Sequence, residues 1–118
     1  MQKLVIYGGK KISGPIKISG SKNATLPILA ASILSKKKII IKNIPLVKDV
    51  ETMIDLLSLL GLKIKLFKKI KKIEIINTNK FNTLAPYKLV KTMRAGILVL
   101  GPLLARYNKA KVSLPGVF

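Results

Sequence analysis

With 118 residues and a 49 % hydrophobic fraction, the chain can close one small core, which excludes a disordered basic tail. Lys and Arg number 23 against four acids, for a net charge of +19, and only Arg94 and Arg106 are arginines. There is no cysteine or histidine, so disulfides and thiolate or imidazole metal sites are excluded, and no metal is expected.

The lysines run through every segment beside isoleucine and asparagine. All three share A/T-rich codons, so the charge reads as compositional bias. Incidental polyanion binding at low salt is expected. Specific nucleic-acid recognition is not: the arginine forks are scarce, and three Phe, three Tyr and no Trp offer little for base stacking. Met1-Gln2-Lys3 leads straight into strand-like sequence, without a signal peptide. The longest charge-free stretches, 23–35 and 95–105, are too short to cross a bilayer. No membrane partner and a cytoplasmic location are the resulting expectations.

In chain order, Leu4-Val5-Ile6-Tyr7 reads as a strand closed by Gly8-Gly9, and 12–19 as a second strand, together a hairpin. Gly20 allows a sharp turn, Ser21 is suited to cap a helix, and a helix follows over 22–34 with Leu26, Leu29, Ala30 and Ile33 on its buried face. Lys22 and Asn23 fall in the first turn, where the helix dipole favours anions. A lysine there either meets a negative ligand or leans into solvent. Lys36-Lys37-Lys38 complements the helix end. Ile39-Ile40-Ile41, without polar alternation, reads as a strand covered on both faces.

A second helix over 49–60 carries the stripe Val50, Met53, Ile54, Leu57 and Leu60. Asp49 and Glu51 sit at its start and Gly61 just past its end. Residues 62–66 and 71–75 alternate as a hairpin with a solvated basic tip near Lys68-Lys69. Residues 77–86 are a loop. A third helix spans 87–107, with Leu89, Met93, Ile97 and Leu100 on one face, Lys88, Lys91 and Arg94 on another, and a kink at Gly101-Pro102. A strand follows over 109–114. The fold class is α/β (an α+β mixed sheet), with helices packed on one mixed sheet.

An ordered set of motifs adds to this reading. Residues 14–27 read GPIKISGSKNATLP and 43–53 read NIPLVKDVETM, followed by Leu59-Leu60-Gly61. Then come Ala85-Pro86-Tyr87, VKTMRA over 90–95, LGPLLAR over 100–106 and VSLPG over 112–116. Together they resemble the N-terminal quarter of the UDP-N-acetylglucosamine 1-carboxyvinyltransferase (MurA) family, over nearly the whole chain. That family moves the enolpyruvyl group of phosphoenolpyruvate to the 3′-hydroxyl of UDP-N-acetylglucosamine, releasing phosphate, at the first committed step of peptidoglycan synthesis. The resemblance implies a piece of an inside-out α/β barrel built from βαβαββ units, without a cofactor. Residues 1–21 would be strands belonging to the other domain. Residues 22–118 would hold the first repeat and part of the second repeat of a substrate-binding domain.

Carried over residue by residue, the resemblance places Lys22 and Asn23 on phosphoenolpyruvate and Arg94 on the UDP-sugar. The family continues Pro-Gly into a Gly and then a Cys or Asp that protonates the vinyl carbon. Here Val117 and Phe118 follow Pro115-Gly116, and Phe118 has no proton to give. The expectation is an incomplete site and an inactive isolated chain, with a separately encoded C-terminal portion as its partner. Two other readings stand beside it: a fragment of the related 3-phosphoshikimate 1-carboxyvinyltransferase, and a basic non-catalytic polyanion-binding protein.

Overall fold

The computed structural model describes residues 2–78, 84–85 and 94–112, with 84–85 and 94–95 described through their backbone. The first helix, α1 (Lys22–Ala31), begins where Ser21, in an extended conformation, turns its Oγ to accept from the Ala24 N–H at 3.3 Å. The Ala24 bond satisfies a donor that a helix start leaves open; the Thr25 N–H makes the first bond of the helix ladder, to the Ser21 carbonyl at 2.9 Å, and the Thr25 Oγ1 donates to the same carbonyl at 2.6 Å. The helix runs through Pro27 and tightens into a 3-10 turn over Ser32–Leu34. Leu26, Leu29, Ala30 and Ile33 are all buried, the face expected from their spacing.

Strand β1 (Ile39–Ile41) follows, then helix α2 (Lys48–Leu60), strand β2 (Lys63–Phe67) and strand β3 (Lys72–Ile76). The stripe expected on α2 is buried, and Leu56 joins it. Gly61 ends α2 in the left-handed region at φ 117°, and the Leu62 N–H reaches back to the Leu57 carbonyl at 3.1 Å. That is the bonding of a Schellman stop, which favours glycine at this position. β3 lies between β1 and β2, antiparallel to both. Two rows, Ile39–Ile75–Ile64 and Ile41–Ile73–Leu66, line the inner face and meet α1 and α2 in one core.

Both faces of β1 were expected to be covered, but Ile40 is 50 % exposed. It lies in an outer row with Glu74 and Lys65, on the face away from the core. An antiparallel sheet with helices on one side leaves the other face wet.

The C-terminal half departs further from the sequence reading. A short pair, β4 (Leu84–Ala85) and β5 (Lys111–Val112), runs parallel and forms a second sheet; β4 falls where 77–86 had read as loop, and β5 within the strand expected over 109–114. Of the helix expected over 87–107, residues 94–99 form a 3-10 segment and Leu100–Tyr107 form helix α3, while 87–93 lie outside the described residues. The tighter winding shifts the buried phase. Val99 and Leu103 are fully buried, and Leu100 is exposed. Pro102 therefore sits in the first turn of α3, where its missing N–H costs no helix bond.

The N-terminal hairpin does not form. Residues 2–20 carry no strand, and Leu4, Ile6, Tyr7, Ile12, Ile16 and Ile18 are all strongly exposed. Alternation fits a segment for a sheet, yet a strand exists only beside a partner, and these residues have none here.

Candidate functional site

The arm formed by residues 2–20 joins the body of the fold through a close contact. The Asn43 side-chain amide donates to the Ile18 carbonyl at 3.2 Å. Two residues on, Gly20 lies so close to the loop after β1 that a Cβ there would stand 1.9 Å from the Asn43 carbonyl oxygen and 2.9 Å from Pro45 Cδ. Glycine is required because only a bare Cα fits. Asn43 itself is left-handed, at φ 59°, a conformation asparagine tolerates better than most residues. This joint fixes the direction from which the chain enters Ser21 and α1.

Lys22 and Asn23 open α1, both exposed. A lysine in this turn faces the positive end of the helix dipole, and the structure shows what offsets it. Lys22 Nζ lies 3.1 Å from Asp49 Oδ2, in the first turn of α2. The α1–α2 packing that buries Leu29 and Met53 also sets the two helix starts side by side. The pair is open to water, with 48 % and 40 % of the two side chains exposed, so it contributes no more than about 0.2–1 kcal/mol. Of the two outcomes open from the sequence, an anionic ligand or solvent, the structure shows an exposed Lys22 resting on a carboxylate of the chain itself. Asp49 had been noted only as a complement to its own helix. Its pairing 27 positions away left no local signal.

Arg94 begins the 3-10 segment over Arg94–Val99, an element packed against α1. Its side chain, and Lys88, Lys91 and Phe118, lie outside the described residues. The expected cationic face over 88–94 is thus placed only at its last backbone position. Among the described residues, no group of three or more His, Cys, Asp or Glu is arranged to hold a metal, and no helix is long and apolar enough to cross a membrane.

Arg106 has a structural task. Its Nη1 donates to the Ile33 and Ser35 carbonyls, both at 2.7 Å, and Asn77 Nδ2 donates to the same two, at 3.2 and 2.9 Å. These carbonyls close the helical run that starts at Lys22, where Lys36-Lys37-Lys38 had been expected to supply the positive charge. Lys38 instead pairs with Glu74 at 2.7 Å.

Residues 6–117 match the profile of the family described as EPSP synthase (3-phosphoshikimate 1-carboxyvinyltransferase). Among curated relatives, the UDP-N-acetylglucosamine 1-carboxyvinyltransferase of Pelagibacter ubique (strain HTCC1062) is 62 % identical over 116 residues, 98 % of this chain and 27 % of the relative. The enzymes of the same name from Acinetobacter guillouiae and Coxiella burnetii (strain RSA 493 / Nine Mile phase I) are 55 % and 53 % identical, again over 98 % of this chain. The chain thus spans about a quarter of the length of the relatives it matches. Among solved structures, the enolpyruvyl transferase NikO from Streptomyces tendae superposes with a TM-score of 0.69 at 19 % identity, covering 84 % of this chain and 23 % of that one. At that identity the likeness is one of fold.

Proposed function

The chain belongs to the EPSP synthase family, and from that premise we propose that it is the N-terminal portion of a UDP-N-acetylglucosamine 1-carboxyvinyltransferase. The 62 % identity to the Pelagibacter ubique enzyme carries this reading. The family profile also bears the name of the shikimate enzyme. The names of the curated relatives favour the UDP-sugar as acceptor, and an identity of this extent argues against a stand-alone polyanion binder.

In this reading phosphoenolpyruvate meets the start of α1. The first-turn amides and the dipole favour its phosphate, and the Lys22 ammonium adds a full charge beside Asn23. Lys22 leaves Asp49 for the phosphate because the exposed ion pair is weak and a phosphate carries more charge than a carboxylate. As the enolpyruvyl carbon passes to the sugar 3′-oxygen, the phosphate leaves with the bridging electron pair, and Lys22 is placed to stabilise that charge. Arg94, on the element against α1, takes the UDP-sugar. Phe118 cannot protonate the vinyl carbon. In this reading these residues carry part of both substrate sites and lack the proton donor. Catalysis, a place in peptidoglycan synthesis in the cytoplasm, and pairing with a C-terminal portion belong to the assembled enzyme.

Titration of the 15N-labelled chain with phosphoenolpyruvate tests this reading. Amide shifts are expected at residues 21–25 and should be lost in Lys22→Gln. Phosphate release with both substrates should be undetectable. Shifts unaffected by Lys22→Gln would sink the assignment of the site. Clear turnover by the chain alone would sink its incompleteness.

A further inference from the structure

At the joint between arm and body lies a cavity of about 280 Å³ whose walls come from three separate segments. The arm supplies Lys17 and Ile18, the loop after β1 supplies Asn43, and the hairpin tip supplies Lys69, Ile70 and Lys71. The walls are tied together. The Ile44 N–H donates to the Lys71 carbonyl at 3.0 Å, and the Asn43 amide holds the Ile18 carbonyl at 3.2 Å. Lys71 is left-handed at φ 50°, which ends the 3-10 turn at the tip and starts β3.

Three lysines line this cavity, and none of the chain's four acids does. Asp49 is committed to Lys22 and Glu74 to Lys38, while Glu51 and Asp55 line a different cavity beside Lys68. Like charges gathered around a polar hollow repel one another, and an anion between them relieves that repulsion. The hollow exceeds the volume of an inorganic phosphate and suits a phosphate chain.

We propose that this cavity binds a compact oxyanion of the diphosphate or phosphate-ester class, bridging Lys17 of the arm to Lys69 and Lys71 of the body. Neither Lys22 nor Asn23 lines it. Binding there pins the arm at the joint that leads into α1.

The test is a 15N titration of the full chain with inorganic phosphate, diphosphate and tripolyphosphate at about 0.15 M salt, where exposed charges are screened beyond about 8 Å. Saturable shifts at 17–19, 43 and 69–71, tighter for diphosphate than for phosphate, are expected. The double variant Lys69→Gln/Lys71→Asn should bind at least about tenfold more weakly, as expected on losing charge-assisted contacts; asparagine keeps the left-handed backbone at 71. Lys36→Gln/Lys37→Gln, with the same loss of net charge away from the cavity, should bind as the parent does. If the hairpin variant moves the Ile73 and Ile75 amides, Lys17→Gln, which leaves the hairpin untouched, decides in its place. Equal weakening in both double variants, shifts spread over every lysine-bearing segment, or tighter capture of an unstructured DNA oligonucleotide by the same residues would overturn the proposal in favour of general attraction to a +19 chain.

Discussion

Glu74 is one of four acids among 23 cations, and its surroundings show in its titration. Lys38 donates to its Oε1 at 2.7 Å, and that hydrogen bond is the main reason its pKa lies below the ordinary 4.5. The charges of Lys38, Lys72 and Lys65 act in the same direction, against partial desolvation that raises it. Lys65 is its direct cross-strand neighbour on the outer face of the sheet. A carboxylate with a depressed folded pKa stabilises the fold fully above its unfolded value. That contribution is lost as pH falls through the folded pKa. Denaturant midpoints of the parent and Glu74→Gln should therefore differ most above about pH 5, one unfolded carboxylate being ionised there, and converge as pH drops below 4.5. A gap that stays constant from pH 7 to pH 3 would show that Glu74 acts through packing and not through its charge.

At the scale of elements, the molecule is held by contacts that join distant segments. Arg106, in the last turn of α3, and Asn77, just after β3, both donate to the carbonyls that end the run from Lys22 to Leu34. Replacing Arg106 by methionine removes a charged donor from two partly buried acceptors, and should lower stability by about 2 kcal/mol. Lysine should restore part of the loss, since it can supply a donor but not a planar fork. Urea unfolding checks this: the midpoint should fall with an unchanged slope, and a loss below about 0.5 kcal/mol, the level of an ordinary surface change, would count against the cap. The same contacts explain what was legible in the sequence. The start of α1, the end of α2 and the β2–β3 hairpin follow from neighbours in the chain: Ser21, Gly61 and strict alternation. The pairings Lys22–Asp49 and Arg106–Ile33 depend on the packed fold and leave no trace in spacing. The two-residue strand β4 is too short to show a period, whereas β5 falls within the strand expected over 109–114, and the 3-10 winding over 94–99 altered the phase from which Leu100 was expected to be buried. Of the candidate site, Lys22 and Asn23 stood out through the cap beside them. Gly20 was read as a turn, and its close approach to Asn43 emerged only when the loop after β1 was in place.

At the scale of the whole molecule, an arm of exposed apolar residues leaves a body that has a core of its own. The buried set runs from Leu26 to Leu103 and takes nothing from residues 2–20. The arm should thus be separable from the body, and what holds it is the joint at Ile18, Gly20 and Asn43. Limited trypsin digestion exploits this, because Lys10, Lys11 and Lys17 lie in exposed chain without ladder bonds, whereas Lys63, Lys65 and Lys72 lie in the sheet. Cleavage at 10, 11 and 17 should come first and leave a body beginning at Ile18, with its thermal unfolding midpoint close to that of the parent. Gly20→Ala tests the joint itself. Its Cβ cannot remain 1.9 Å from the Asn43 oxygen, so the chain must move away from the loop, which also displaces Ser21 from its cap. Trypsin should then cut at Lys22 as readily as at Lys17, and the body should lose about 1 kcal/mol or more, the size of a lost helix cap. A variant that keeps Lys22 protected and its stability intact would mean that arm and body are joined by contacts other than the one between Gly20 and Asn43.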